Sequence, residues 1–246
     1  MKKTSSDNGA ASRAAQMAPN TSTFFIARDQ EHRGAKNAVA KCIVDEYLKE
    51  GDSILLDAGS SLYPIAEMIA QRAMKEPGRT HFTIMTHNYK AFEVLVKVPR
   101  DANLNIVLAG GRYDQDLNAL FGNQTVNAYA DFFPRIVLLG ISAFSTEIGL
   151  FCHGNTEELA VKRAIFEKQA RDRIIIADHT KIGQVDGFLY GQSSGLRSRV
   201  KRCILVTDQP PDDTDIEVKN QFNQQIMSLK DIGVEVNALQ VARKVQ

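Results

Sequence analysis

Apolar residues follow two alternating rhythms along this chain. Short apolar runs recur at 53–57, 82–86, 104–108, 135–139, 173–177 and 203–207, with a last one at 234–236. They are rich in Ile, Leu and Val and stop at turn-forming residues, as buried strands do. Between them lie stretches whose apolar residues return every three or four positions, the period of a helix with one buried face. These predict helices over 31–49, 62–74, 88–96, 117–130, 156–170 and 218–229. In the first, Val39, Ile43, Val44, Tyr47 and Leu48 form the apolar stripe, and Gly51 ends it. In the second, Ile65, Met68, Ile69 and Ala73 share a side, with Pro64 in the tolerant first turn. The long helix at 156 has Asn155 or Thr156 as its cap and Glu157 and Glu158 beside its positive end.

Strands alternating with helices predict an α/β fold: a mostly parallel open sheet with helices on both faces. Short connections point to a single domain over 23–246, its periodic part starting near Glu31. Residues 1–22, rich in Ser, Ala, Asn and Thr without apolar period, read as a disordered tail.

Composition narrows the class. The chain has 246 residues, 43% of them hydrophobic, enough for a sizeable core. Its 30 basic and 29 acidic side chains nearly cancel, which removes the electrostatic case for the whole body gripping nucleic acid. Cys42, Cys152 and Cys203 are widely spaced and odd in number, and they read as buried reduced thiols rather than a disulfide framework or zinc ribbon. No apolar run approaches the roughly 20 residues that span a bilayer, and no secretory core opens the chain. The expectation is a cytoplasmic protein without membrane partner. The five histidines lack the helical spacing of metal-ligand pairs, so neither a metal nor a cofactor is expected.

Candidate chemistry concentrates in two turns. Strand 53–57 runs into Asp57-Ala58-Gly59-Ser60-Ser61, and strand 173–177 runs into Asp178-His179-Thr180-Lys181-Ile182-Gly183. Both lie at the carboxyl end of a parallel strand, the edge where open sheets bind ligands. A helix starting after Gly59 aims free N–H groups at an anion. Together these turns describe a pocket for a small phosphorylated molecule. Asp57 either accepts sugar hydroxyls or orients its own loop, and Asp178 either holds Lys181 or bonds a hydroxyl. Thr86, His87 and Asn88 reach the same edge, Asn88 equally as a helix cap. Gly110 and Gly111 allow close backbone approach or simply a turn, and Arg112 beside them is a phosphate fork or a solvated side chain. Lys162 sits on the long helix, a surface residue or a pocket cation. The basic run Arg197, Arg199, Lys201 and Arg202 reads as a solvated edge.

Five motifs occur in order: Asp57-Ala58-Gly59-Ser60-Ser61, Met85-Thr86-His87-Asn88, Leu108-Ala109-Gly110-Gly111, Ala160-Val161-Lys162-Arg163-Ala164 and Ala177-Asp178-His179-Thr180-Lys181-Ile182-Gly183. From about 31 to 238 the chain resembles the C-terminal sugar-sensing domain of DeoR-type transcriptional repressors. The resemblance implies a fold like ribose-5-phosphate isomerase, glucosamine-6-phosphate deaminase and the coenzyme A transferases. It implies an effector-binding regulatory protein, homo-oligomeric, taking a phosphorylated sugar or similar anion, with Lys162 balancing the phosphate. The family normally carries an N-terminal winged helix-turn-helix, for which residues 1–30 offer too little length, so no direct DNA binding is expected from this chain alone. The family often has Asp-Gly after the strand at 135–139, where this chain has Ile141-Ser142-Ala143. The alternative is a sugar-phosphate isomerase or deaminase on the same scaffold, with Glu147, Asp116, Asp178 or His87 as its base. None of the four sits in a recognised base motif, so no catalytic residue is assigned. The remaining reading is a scaffold that acts only by association.

Overall fold

The computed structural model describes residues 23–76 and 80–241; the tail expected over 1–22 lies outside them. The strands are β1 (Ser53–Leu56), β2 (Phe82–Thr86), β3 (Leu104–Leu108), β4 (Arg112–Asp114), β5 (Ala119–Phe121), β6 (Ile136–Gly140), β7 (Ala143–Ser145), β8 (Gly149–Cys152), β9 (Ala170–Ile176), β10 (Phe188–Gln192), β11 (Val200–Asp208) and β12 (Glu235–Leu239). The helices are α1 (Thr23–Gln30), α2 (Arg33–Cys42), α3 (Tyr63–Lys75), α4 (Tyr89–Leu95), α5 (Asn123–Ala130), α6 (Thr156–Phe166) and α7 (Ile216–Asp231).

Seven strands form one sheet in the order β12-β11-β9-β6-β1-β2-β3, every neighbouring pair parallel. From β1 the chain steps outward through β2 and β3 on one side, then through β6, β9, β11 and β12 on the other. The order therefore reverses between β1 and β6, and their carboxyl ends open a crevice there.

Alternation along the strands builds two cores. Ile54 and Leu56 of β1 pack with Val39 of α2, Ile65 and Ile69 of α3, and Leu95 of α4. Leu55 points the other way and joins Val137, Leu139 and Ile175 beneath Tyr129 of α5, Val161 and Ile165 of α6, and Phe222 of α7. Each such side chain, taken fully from water, contributes about 1.5–3 kcal/mol. All three cysteines are buried free thiols. Burial pushes Cys42 and Cys152 up to about 12. Among the described residues no helix is long and apolar enough to cross a membrane.

The structure departs from the periodicity at several points: helix α1 precedes the first expected helix, and the helix expected over 156–170 ends at Phe166, with β9 starting at Ala170. The helix expected over 117–130 is instead strand β5, a turn at Gly122 and the shorter helix α5. β5 pairs with β4 in a hairpin whose connection is closed by Asp114 Oδ1, which accepts the Asp116 and Leu117 amides at 3.1 and 3.0 Å. An Asx-type turn there outcompetes helix. The three-stranded antiparallel sheet β10-β8-β7 has no counterpart in the expected elements. Every residue of β7 and β8 is buried, so no alternation marks them. The helix begun by α2 finishes in a π-helical turn over Ile43–Tyr47.

Candidate functional site

The crevice at the β1–β6 reversal is lined by Gly59, Ser60, Ser61, Lys162 and Lys181, with Arg28, Gly140, Ser142, Glu158, Leu117 and Phe121 among its other walls. Three strand-end turns, after β1, β6 and β9, supply most of the polar lining.

Its floor is an internal ion pair. Asp57 is fully buried; Oδ1 accepts the Ala58 amide at 2.8 Å and Oδ2 accepts the Gly140 amide at 2.9 Å. Lys162 Nζ lies 2.5 Å from the same Oδ2 and donates to the Gly140 carbonyl at 2.8 Å. That carbonyl also accepts the Tyr190 hydroxyl at 2.9 Å. Burial alone would lower the Lys162 pKa, but Asp57 and Glu158 outweigh it and raise it. Asp57 therefore already balances the charge of Lys162, and the ammonium has one donor left for a guest. A methyl group at Gly140 would stand 2.5 Å from the end of the Leu62 side chain, which would have to shift to admit it.

The two turns singled out in the sequence meet here. Leu62 and Tyr63 donate to the Gly59 carbonyl at 3.1 and 3.3 Å, which starts the helical ladder after the amides of Ser60 and Ser61. From the far side, Asp178 caps a 3-10 turn over His179–Lys181 and holds Lys181 Nζ at 3.1 Å. Lys181 Nζ also donates to Ser61 Oγ at 3.1 Å. Burial would raise the Asp178 pKa, yet Lys181 and Thr180 hold it at about 2. Lys181 is lowered by burial, against Asp178, with Arg28 and Lys162 adding to the depression.

A third arm comes from α2. Lys36 is buried, and its Nζ reaches Ser60 Oγ at 3.3 Å while donating to the Arg28 carbonyl. Burial and then the charge of Lys181 lower its pKa to about 8. Lys36 and Lys181 thus share one rim beside Arg28, with Asp178 the carboxylate paired to Lys181. Two ammonium groups drawn out of solvent there favour an anion. At the other end, burial raises the pKa of Glu158, with Lys162 opposing and Asp57 adding to it.

The remaining expected site residues stand behind or beside the crevice rather than lining it. The Thr86 hydroxyl donates to the Leu56 carbonyl at 2.7 Å, and Asn88 caps α4 by accepting the Ala91 amide at 3.0 Å. His87 is fully buried, with Nδ1 2.7 Å from the Tyr129 hydroxyl and Nε2 3.7 Å from Asp57 Oδ1. Burial, opposed by Asp57, pushes it down to about 4, so the imidazole is neutral near pH 7. The Gly110 carbonyl accepts the Thr125 hydroxyl at 2.6 Å. Gly111 takes φ +141°, and a Cβ there would lie 2.3 Å from Thr125 Oγ1. Arg112 pairs with Glu157 on the surface. In the basic run, Arg202 forks onto Glu235 at 2.9 Å twice and Arg199 faces Glu167 at 3.3 Å. Among the described residues no cluster of His, Cys, Asp or Glu suits a metal ion.

Sequence reasoning missed Lys36, Arg28 and Glu158. Lys36 had a signal: it lies three residues before Val39, on the buried stripe, where a lysine is out of place. Arg28 had none, because only the tertiary fold brings it to the rim.

Residues 31–208 match the family described as the DeoR C terminal sensor domain. The chain is similar to the transcriptional repressor AccR of Agrobacterium fabrum, 26% identical over 155 residues, covering 63% of this chain and 55% of that protein. It is also similar to the HTH-type transcriptional repressor GlcR of Bacillus subtilis, 23% identical over 180 residues, covering 72% and 60%. The chain thus spans little more than half the length of these curated relatives. Among solved structures, ribose 5 phosphate isomerase A from Neisseria gonorrhoeae aligns over 63% of this chain and 54% of its own, with TM-score 0.40 and 14% identity. With the five ordered motifs gathered around one sheet reversal and the family match covering most of the chain, this protein belongs to the DeoR C-terminal sensor domain family.

Proposed function

We propose that this chain senses a small effector in the crevice, a phosphorylated sugar or related anion, and acts in transcriptional regulation. One observation carries the reading: Lys181 from the β9 turn and Ser61 from the β1 turn meet at 3.1 Å, while Lys36 reaches Ser60 beside them. Main-chain amides, hydroxyls and two ammonium groups, Lys36 buried and Lys181 half-buried, then face one volume, a combination suited to a phosphate. Lys162, balanced by Asp57, is left to donate to a sugar oxygen rather than to neutralise the phosphate. Asp57, Asp178, Thr86, His87 and Asn88 support the walls in this reading, and Gly110 and Gly111 shape the neighbouring turn. Both relatives are transcriptional repressors, which supports a regulatory output. The sensor works as a homo-oligomer, as its resemblance implies.

A thermal-shift panel of sugar phosphates, coenzyme A esters and nucleotides tests the reading. A ligand at 100 times its Kd adds about 2.7 kcal/mol of stability. A flat panel defeats the sensor reading and leaves a scaffold that works by association.

One observation keeps the enzyme alternative in view. Glu147, Asp116, Asp178 and His87 do not line the crevice, but Glu158 does, with a raised pKa. Deuterium exchange at C2 of sugar phosphates separates the readings: the sensor gives none above background, whereas exchange abolished by Glu158→Gln makes this an isomerase-type base.

A further inference from the structure

Glu158 lines the crevice from the first turn of α6. Its place on that helix would suit an ion pair with Lys162 one turn on, but Lys162 has turned inward to Asp57 and the Gly140 carbonyl. Glu158 Oε2 is buried and has no hydrogen-bond partner among the described residues. The same oxygen stands against Gly154: a Cβ there would lie 1.8 Å from it and 2.9 Å from the carboxyl carbon. The bare glycine thus fixes where the carboxyl rests.

The surroundings of this carboxyl are mixed. Burial and Asp57 favour the neutral acid, against Lys162, the Gly154 amide and Arg28. In either state the group can accept a hydroxyl. Lys36 and Lys181, by contrast, bring only donors to the Ser60 and Ser61 turn. The walls therefore offer donors to an anion in one place and an acceptor in another. The crevice holds about 40 Å³, room for a few waters, so a sugar body has to part its walls. Each polar wall atom that the guest then covers finds its partner in the guest or stays unsatisfied at a cost.

We propose that Glu158 is a ligand-binding, specificity-determining residue that accepts a hydroxyl of the guest, with Gly154 positioning its carboxyl. The proposal rests on the anion-binding reading of this crevice and narrows it: the guest is a hydroxylated phosphate ester rather than any small anion. A site that presents such an acceptor rejects an analogue lacking the donor.

Calorimetric titration of the full chain tests this, with glucose 6-phosphate, ribose 5-phosphate and glycerol 3-phosphate set against methyl phosphate, which carries the anion without a carbon-bound hydroxyl. In the wild type at least one hydroxylated ester should bind about tenfold or more tighter than methyl phosphate. Glu158→Leu should remove most of that advantage and leave methyl phosphate unchanged. Glu158→Gln, whose amide oxygen still accepts, should keep part of it. Gly154→Ala keeps the carboxyl but displaces it, and should also shrink the advantage. Unchanged melting temperatures without probe show that the variants are folded; if Glu158→Leu melts early, Glu158→Gln and Gly154→Ala carry the test. An advantage undiminished in the folded Glu158 variants removes Glu158 from the guest. Equal losses for methyl phosphate and the sugar esters in Glu158→Leu put Glu158 on the anion instead and overturn the proposal. An advantage lost in Glu158→Leu but kept in Gly154→Ala removes only the positioning role of Gly154. Wild-type esters no tighter than methyl phosphate defeat the proposal and leave the crevice reading intact; no binding of any probe brings both down.

Discussion

At the amino ends of the central strands two buried carboxylates, Asp52 and Asp172, are met by arginines; at the carboxyl ends two ammonium groups, Lys36 and Lys181, crowd one rim. Asp52 and Asp172 are each 1% exposed. Arg171 reaches Asp172 at 2.9 Å and Asp52 at 3.4 Å, Arg135 approaches Asp52 at 3.9 Å, and Arg202 approaches Asp172 at 4.0 Å. Those guanidinium groups remain partly in water, and Arg202 also forks onto Glu235. At the opposite end, burial and the charge of Lys181 lower Lys36, while burial, with Arg28 and Lys162 adding to it, lowers Lys181. Both ends are polar clusters on the same sheet, but at one the carboxylates meet opposite charges, with the buried Arg173 beside them bonded to backbone carbonyls, whereas at the other Lys181 adds to the positive surroundings of Lys36. How the buried charges are paired, not the number of charged residues, distinguishes a receptive end from a sealed one.

The largest test of this contrast removes compensation from the floor. Asp57→Ala strands the Lys162 ammonium in the interior and should cost about 3–5 kcal/mol in urea unfolding. Adding Lys162→Met should recover much of that loss; failure to recover would mean that Asp57 acts through the Gly140 and Ala58 amides instead. Next in size, Lys181→Met should weaken glucose 6-phosphate by about ten- to a hundredfold in calorimetric titration, the value of a charged hydrogen bond or two. Unchanged affinity would move the anion away from Ser61.

A third effect is read in pH. Lys36 is protonated below about 8, so phosphate affinity should fall as pH rises through that value, and Lys36→Met should flatten this part of the profile. Stability runs the other way. Between about 8 and 10.5 the unfolded chain holds a proton that the folded chain releases, so folding gains with rising pH across that window. The smallest effect belongs to the sealed end: Arg202→Ala should change stability by about 0–1 kcal/mol and leave effector binding untouched. A loss of binding there would erase the distinction between the two ends.

Much of this was legible in residue order. The central strands announce themselves because Ile54, Leu55 and Leu56 are apolar on both faces, and the crevice turns because Ser60, Ser61 and Lys181 follow such strands. Short antiparallel strands were not legible: β5 has three residues, and β7 and β8 are buried throughout. Within the site, motif position could not separate rim from support. Thr86, His87 and Asn88 end a strand like Ser60 does, but their side chains turn to Leu56, Tyr129 and Ala91. Lys162 was visible, but not its partner across 105 positions of chain.

Gly140 gives its amide to Asp57 and its carbonyl to both Lys162 and Tyr190, and it has Leu62 pressed against the space a side chain would need. An alanine there has to push aside the Leu62 methyl while keeping those three bonds, so Gly140→Ala measures how far the Leu62 side chain yields inside this wall.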